Sequence, residues 1–260
     1  MRLYDTHCHL NAEQLLPNLA SWIQEAKQAG VVHMNIIGWD ESSSEKAIQI
    51  SQQYKMCHAV IGLHPVNDDL ANPQRLDFIE KLAKMHQIVA IGEIGLDYYW
   101  KKDVHDQDLQ KKVFIAQIKL ANQFNLPIVV HCRDAYEDAL IILKQNKPKA
   151  GGVMHCYAGP ISLVDSFIKL GMHISVGGPI TYKKNDALRE MIQTIPLKHL
   201  LIETDAPYLS PEPFRGKINH PARVKLVMEE IVKHRKESKE IIEEKLLENS
   251  TNMFHVKDYE

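Results

Sequence analysis

The sequence predicts a single-domain (β/α)8 barrel over residues 1–260, and three observations predict it. Short β-branched or aliphatic runs start near Leu3, Val31, Ala59, Ile88, Ile128, Gly152, Ile174 and Leu200, which makes eight. Segments with helical periodicity separate them, and strand–helix alternation implies parallel pairing through right-handed crossovers. A chain of 260 residues with 45% hydrophobic content is the expected size for eight such units around one core.

The helical segments carry their own signals. Leu19, Trp22, Ile23 and Ala26 share a face ahead of Gly30, a residue suited to the position just past a helix end. Ser42 with Glu45 reads as a capping box before Ala47 and Ile48. Leu109, Val113, Ala116 and Leu120 form a stripe, and Asp134 with Glu137 offers a helix start ahead of Leu140 and Leu143. Val224, Met228 and Ile231 give another stripe. The last segment, from about Ser238 to Leu247, pairs an Ile241/Leu246 face with a Glu/Lys-rich solvated one.

Composition excludes little. The formal net charge is −2, from 31 basic and 33 acidic residues, so nucleic-acid binding would need a local basic patch. No apolar run is long enough to span a bilayer, and the first strand leaves no room for a signal peptide after Met1, so a soluble cytoplasmic protein without membrane partners is expected. The sequence sets no oligomeric state, and a monomer satisfies it. Cys8, Cys57, Cys132 and Cys156 are scattered singly and read as reduced thiols. Three of them directly follow a histidine, so on a strand they face away from whatever that histidine faces.

Polar residues collect where a parallel barrel builds its active site, at the strand C-termini. His7 and His9 end the first strand, two apart and on one face, with Asp5 one layer deeper. His64 follows the third strand in Gly62-Leu63-His64-Pro65, and Glu93 ends the fourth. His131 closes the fifth, His155 follows Gly152-Val153-Met154, and Glu203 and Asp205 sit two apart after the eighth. A lone histidine of this kind is more often a hydrogen-bonded polar residue than a ligand. A whole set is different, because each ionisable group inside an apolar strand costs roughly several kcal/mol unless paired or metal-bound. Imidazoles with carboxylates suit Zn, Mn, Co or Fe, whereas Mg prefers more oxygen ligands. The set exceeds what one open four-coordinate ion needs, so two divalent ions about 3.5–4 Å apart are expected, with Mg, Mn and Zn as candidates.

Taken in order, Asp5-Thr6-His7-Cys8-His9, Gly62-Leu63-His64-Pro65, Gly92-Glu93-Ile94-Gly95-Leu96-Asp97, His131, His155 and Glu203-Thr204-Asp205-Ala206-Pro207-Tyr208 resemble the TatD family over essentially the whole chain. The resemblance implies a barrel of the amidohydrolase superfamily acting as a metal-dependent deoxyribonuclease, often a 3′ to 5′ exonuclease, on single-stranded DNA or 3′ ends. It also implies that His7, His9 and Asp205 hold one metal, His131 and His155 the other, and Glu93 bridges them. His64 and Glu203 line the same site, and Asp205 and Glu203 are the candidate catalytic carboxylates. One departure touches the substrate side: after Arg215-Gly216-Lys217 the chain reads Ile218-Asn219-His220-Pro221, where many relatives have a basic residue and then Asn-Glu-Pro. His220 is read as preceding Pro221 at a helix start.

A phosphodiester needs groups that hold its charge. Arg133, two residues past His131, is the best candidate, with His64 as a further substrate contact. Lys101, Lys102, Arg215 and Lys217 would extend a basic rim, while Lys183 and Lys184 read as ordinary surface lysines. Tyr98, Tyr99 and Trp100 would stack on bases or form an apolar lid. The other histidines, including His33, His58, His86, His105, His173, His199, His234 and His255, read as structural or solvated. Two alternatives stay open: hydrolysis of another ester, such as aminoacyl-tRNA, or of a C–N bond at the same metals, and a non-catalytic scaffold that binds metal or nucleic acid.

Overall fold

The computed structural model describes residues 1–257, so the last three residues of the domain expected over 1–260 lie outside the described residues. Eight parallel strands form one sheet in sequence order: β1 (Leu3–Cys8), β2 (Val31–Ile37), β3 (Cys57–Ile61), β4 (Ala90–Asp97), β5 (Ile128–Arg133), β6 (Gly152–Met154), β7 (Met172–Val176) and β8 (Leu200–Ile202). Between and after them run α1 (Leu19–Gln28), α2 (Glu41–Gln53), α3 (Pro73–Met85), α4 (Val104–Phe124), α5 (Tyr136–Gln145), α6 (Ile161–Lys169), α7 (Asp186–Thr194), α8 (Val224–His234) and α9 (Lys239–Met253). No helix among the described residues is long and apolar enough to cross a membrane.

β1 and β8 meet across a seam. The β8 ladder is short, and the chain beyond it completes the contact. Asp205 N–H donates to His7 O at 2.9 Å, His9 N–H donates to Ala206 O at 2.6 Å, and Cys8 forms a parallel bridge with Ala206. The buried Asp5 carboxylate lies on the same seam, accepting from Thr204 N–H at 2.9 Å and Thr204 Oγ1 at 2.6 Å. Asp5 therefore ties β1 to the end of β8 rather than sitting in one row beneath His7 and His9.

Two apolar layers hold the barrel. Tyr4, Ile37, Val60, Ala90, Val129, Val153 and Leu201, one from each strand except β7, form an inner layer closed from below by Met253 and Phe254 at the end of α9. The larger outer cluster packs strands against helices and includes Cys8, Cys57 and Cys132. All four cysteines are free, and Cys8, Cys57 and Cys132 are buried.

Several local expectations shift. α2 is capped by Asp40 rather than Ser42: Ser43 N–H donates to Asp40 Oδ1 at 2.7 Å, and Asp40 N–H donates to Ser43 Oγ at 2.9 Å. The earlier box wins because Asp40 is extended and its carboxylate reaches the third residue on. α5 begins at Tyr136 with no side-chain cap, so Asp134 and Glu137 do not form the expected start. α9 runs to Met253 and buries Ile242 and Leu246, leaving Ile241 52% exposed. In α4 the buried face holds Gln110, Phe114, Gln117, Ile118, Leu120 and Ala121, while Leu109, Val113 and Ala116 are only partly buried. Gly30, just past α1, takes φ 93 as a helix-terminating glycine should.

Candidate metal centre

Side-chain alternation places most of the site directly above the inner apolar layer. Val129 lies two residues before His131, Val153 two before His155, and Leu201 precedes Glu203 and Asp205 by two and four. On two strands alternation alone would fail. In β4, Ile91 and Ile94 both belong to the outer cluster though three residues apart, and the β4–β5 register shifts between them. That irregularity flips the parity and turns Glu93 inward. Glu93 thus sits mid-strand, four residues before Asp97 ends β4, and not at the strand end. β1 has a comparable shift between Asp5 and Cys8, which lets His7 point inward although Tyr4 does too.

The resulting cluster centres on Glu93. His155 Nε2 lies 2.8 Å and His131 Nδ1 2.9 Å from Glu93 Oε1, with His64 Nε2 at 3.4 Å from the same oxygen. His7 Nε2 lies 3.5 Å and His9 Nε2 3.8 Å from Glu93 Oε2. Asp205 Oδ1 is 3.4 Å from His9 Nε2 and 3.6 Å from His7 Nε2. Among the described residues, three groups offer ligand atoms within 4.8 Å of one another: His7, His9 and Asp205; His7, Glu93 and His155; and His64, Glu93 and His131. The first matches the triad implied by the resemblance. His131 and His155 fall in separate groups joined by Glu93, although His131 Nδ1 and His155 Nε2 are 3.3 Å apart.

Outer partners fix which ring nitrogens carry protons. His9 Nδ1 faces Ile37 O at 3.1 Å, so its Nε2 presents a lone pair. His155 Nδ1 faces Glu203 Oε1 at 3.2 Å, and His131 Nε2 faces Asp97 Oδ2 at 2.9 Å, which leaves His155 Nε2 and His131 Nδ1 bare. His64 is wired the other way. Its Nδ1 accepts from Val66 N–H at 3.2 Å, so Nε2 bears the proton and points it at Glu93. His64 therefore suits hydrogen-bond donation better than ligation, whatever its place in the third group.

These assignments test the donor set for a metal. Glu93 Oε1, His131 Nδ1 and His155 Nε2 are acceptors 2.8–3.3 Å apart with no proton donor among the three. Such a gap is relieved by a cation, either a proton or a metal ion. The residues present thus fit divalent metal. Without metal, the electrostatics show the same tension. Burial pushes Glu93 up, but the charges of His155 and His64 and the bonds from His131 and His155 hold it well below the usual carboxylate range. Burial lowers His9, His131 and His155, and contacts with Asp205, Asp97, Glu93 and Glu203 outweigh it and raise all three. For His7 and His64 burial wins, and both are lowered. Asp5 is raised to about 8, chiefly by burial.

Around the mouth, Arg133 is exposed and stacks over the Tyr99 ring at 3.7 Å, with Trp100 at 5.9 Å. Tyr99 and Trp100 are 42% and 66% exposed and so form no buried lid, while Tyr98 turns away to donate to Asp138 Oδ2 at 2.6 Å. Arg215 stacks on Tyr182 at 4.4 Å. His220 stacks on Trp22 at 4.9 Å and immediately precedes the 3-10 turn Pro221–Arg223, as expected for a helix start. Glu203 is fully buried and reaches His155, so it orients that ring. Asp97, which orients His131, is a functional residue that sequence reasoning misses. Its signal was the spacing Glu93, Gly95, Asp97, which puts two carboxylates on one strand face once Glu93 faces inward.

A (β/α)8 barrel that gathers imidazoles and carboxylates at the C-terminal mouth of its strands is the architecture of a metal-dependent hydrolase. The model of the family described as TatD related DNase matches residues 4–255, and the chain belongs to the TatD family. It is 41% identical over 255 residues, 98% of this chain and 99% of the relative, to the uncharacterized metal-dependent hydrolase YabD of Bacillus subtilis. The crystal structure of the TatD homolog YjjV from Escherichia coli superposes with a TM-score of 0.93 at 29% identity, covering 98% of this chain and 99% of that one. A TatD family hydrolase from Entamoeba histolytica shares the fold at a TM-score of 0.87 and 24% identity, covering 99% of each chain.

Proposed function

We propose that this chain hydrolyses phosphodiester bonds of DNA, with single strands or 3′ ends as substrate, at a site for two divalent ions. His7, His9 and Asp205 would hold one ion, His131 and His155 the other, with Glu93 between them. The observation that carries the reading is the set of bare imidazole nitrogens and carboxylate oxygens converging around Glu93. Bound divalent ions would activate water for attack on phosphorus and neutralise charge on the attacking and leaving oxygens.

The chain's own groups supply the rest. Asp205, held below the usual carboxylate range by its histidine neighbours against the opposing effect of burial, is ionised at neutral pH and can take the proton of the attacking water. The His64 Nε2 proton is aimed into the site and can donate to a phosphate oxygen. Arg133, seated over the Tyr99 ring, offers its planar fork to a second phosphate oxygen at the rim. Glu203 and Asp97 keep the His155 and His131 lone pairs turned inward.

The test is digestion of end-labelled single-stranded DNA by protein stripped of metal and reloaded with Mg2+, Mn2+ or Zn2+, beside a generic phosphodiester and an aminoacyl-tRNA. Metal-dependent shortening of the DNA is expected, and it should vanish in Glu93→Ala and His131→Ala. Cleavage of the aminoacyl ester without DNA shortening would replace the substrate assignment. DNA cleavage unchanged in Glu93→Ala would overturn the site.

A further inference from the structure

The β3–β4 ladder is two residue pairs long, Val60 with Ala90 and Ile61 with Ile91. On its other side β4 stays paired with β5 as far as Asp97 and Arg133. The Gly62 and Gly92 backbones still lie against each other, and beyond them β3 and β4 form no further residue pair, at the height where His64, Glu93 and Asp97 belong to the site. Separated strand edges would leave buried peptide groups without partners, at a cost comparable to lost hydrogen bonds.

α4 fills this gap with two glutamines. Gln110 Oε1 accepts from Asp97 N–H at 2.8 Å and its Nε2 donates to Asp97 O at 3.1 Å. Gln117 Oε1 accepts from Leu63 N–H at 2.8 Å and its Nε2 donates to Leu63 O at 3.0 Å. Both glutamines are 1% exposed. They stand seven residues apart, about two helical turns, and so lie on one face of α4. Each amide gives its target residue the acceptor and donor that a neighbouring strand would give.

Both clamped residues lead directly to the site. Leu63 precedes His64, whose ring meets Glu93 and lies 4.4 Å, centroid to centroid, from His131. Asp97 presents Oδ2 to His131 Nε2 and accepts from Trp100 N–H on Oδ1 at 2.9 Å. We infer that Gln110 and Gln117 are positioning residues: a paired amide clamp on α4 that replaces the missing β3–β4 ladder and sets His131, through Asp97, and His64, through Leu63, against Glu93. Two buried amides cost more to desolvate than the apolar side chains this face otherwise carries, and what they add is direction. The effect on turnover rests on the hydrolase reading above; the positioning of the two rings does not.

The test replaces each glutamine with methionine, which keeps an unbranched chain and removes the amide. Three readouts are taken: Mn2+ affinity by chelator competition, histidine ring 15N shifts in metal-free protein, and kcat/KM on single-stranded DNA with Mn2+. Gln110→Met, which loosens Asp97 without removing it, is expected to lower Mn2+ affinity up to roughly tenfold, the low end of the range for losing an outer partner of a ligand, and to shift the His131 ring signals. Gln117→Met should leave Mn2+ affinity at the wild-type value, move the His64 ring signals and lower kcat/KM about tenfold. Gln123→Met, on the exposed side of the same helix, should change none of these. Variants that lose thermal stability but keep wild-type affinity and ring signals would make the glutamines mere packing residues and overturn the inference. Should either variant fail to fold, amide exchange in the wild type decides: Leu63 and Asp97 amides must be as protected as those inside β5, and loop-like exchange overturns the clamp. Wild-type protein that cleaves no DNA overturns the proposed substrate, while affinity and ring signals still decide the clamp.

Discussion

At the mouth of the barrel, His7, His9, His64, His131 and His155 face Glu93, and at its base four more histidines pack in pairs. His33 Nδ1 lies 3.1 Å from His58 Nε2 across β2 and β3, and the His173 and His199 rings are 5.2 Å apart beside β7 and β8. Burial acts alike at both ends, disfavouring the charged imidazole. At the base it prevails: burial and the neighbouring imidazole push both His58 and His173 down to about 4. At the mouth, carboxylates in contact reverse it for His9, His131 and His155. The two ends share a residue type and differ in its partners. For His58 and His173, each beside a second imidazole, burial prevails, whereas the carboxylates in contact with His9, His131 and His155 make that end of the barrel able to hold a cation.

The largest contrast should come from removing one histidine at each end. His155→Ala takes a bare nitrogen from beside Glu93 and is expected to lower metal-dependent hydrolysis by at least roughly 10²–10³-fold, the scale for losing one group that stabilises transition-state charge, with loss of bound metal. His173→Ala should leave metal content and activity at wild-type values at temperatures where it stays folded. Elemental analysis with the labelled-substrate assay checks both, and equal losses at the two ends would erase the distinction.

A smaller effect separates ligand from ligand holder. Glu203→Gln keeps the size of the side chain but lets its amide present a donor to His155 Nδ1, which spoils the inward orientation of the Nε2 lone pair. Metal affinity is expected to fall roughly 10- to 100-fold, with kcat largely restored at saturating metal. If instead metal binding is unchanged and kcat alone collapses, Glu203 moves protons in the reaction and its buried position has been misread.

How much of this was legible in the sequence follows from the same physics. The barrel was, because eight strand-like runs and the helices between them set its topology, and the convergence of His7, His9, His131, His155, Glu203 and Asp205 on one mouth was, because each lies near the C-terminal end of a strand or just past it, His131 two residues before the end of β5 rather than closing it. Glu93 was found, yet its mid-strand place was not, since a register shift leaves no mark in apolar periodicity. The clamp was hidden more thoroughly. Gln110 and Gln117 read as polar residues of an amphipathic helix, so periodicity alone points to Leu109, Val113 and Ala116 as the buried stripe. Only the parting of β3 from β4 gives those amides something to bind, and a parting of strands is a property of the closed barrel.

The base pairs yield the smallest effect, with a definite sign. In the unfolded chain His58 takes up a proton near its ordinary value of 6.5, while in the fold burial and His33 hold it neutral to about 4. Between those values the unfolded state binds more protons, so the contribution of His58 to stability is present above about 6.5 and is lost as pH falls toward 4. The slope cannot exceed one proton's worth, about 1.4 kcal/mol per pH unit, and partial exposure to solvent reduces it. Urea unfolding of metal-free protein from pH 7.5 to 4 should therefore show a shallower acid loss in His58→Gln than in wild type, with the two curves parallel above pH 7. Identical acid slopes would mean that His58 protonates freely in the fold, and the contrast between the barrel's two ends would then rest on metal binding alone.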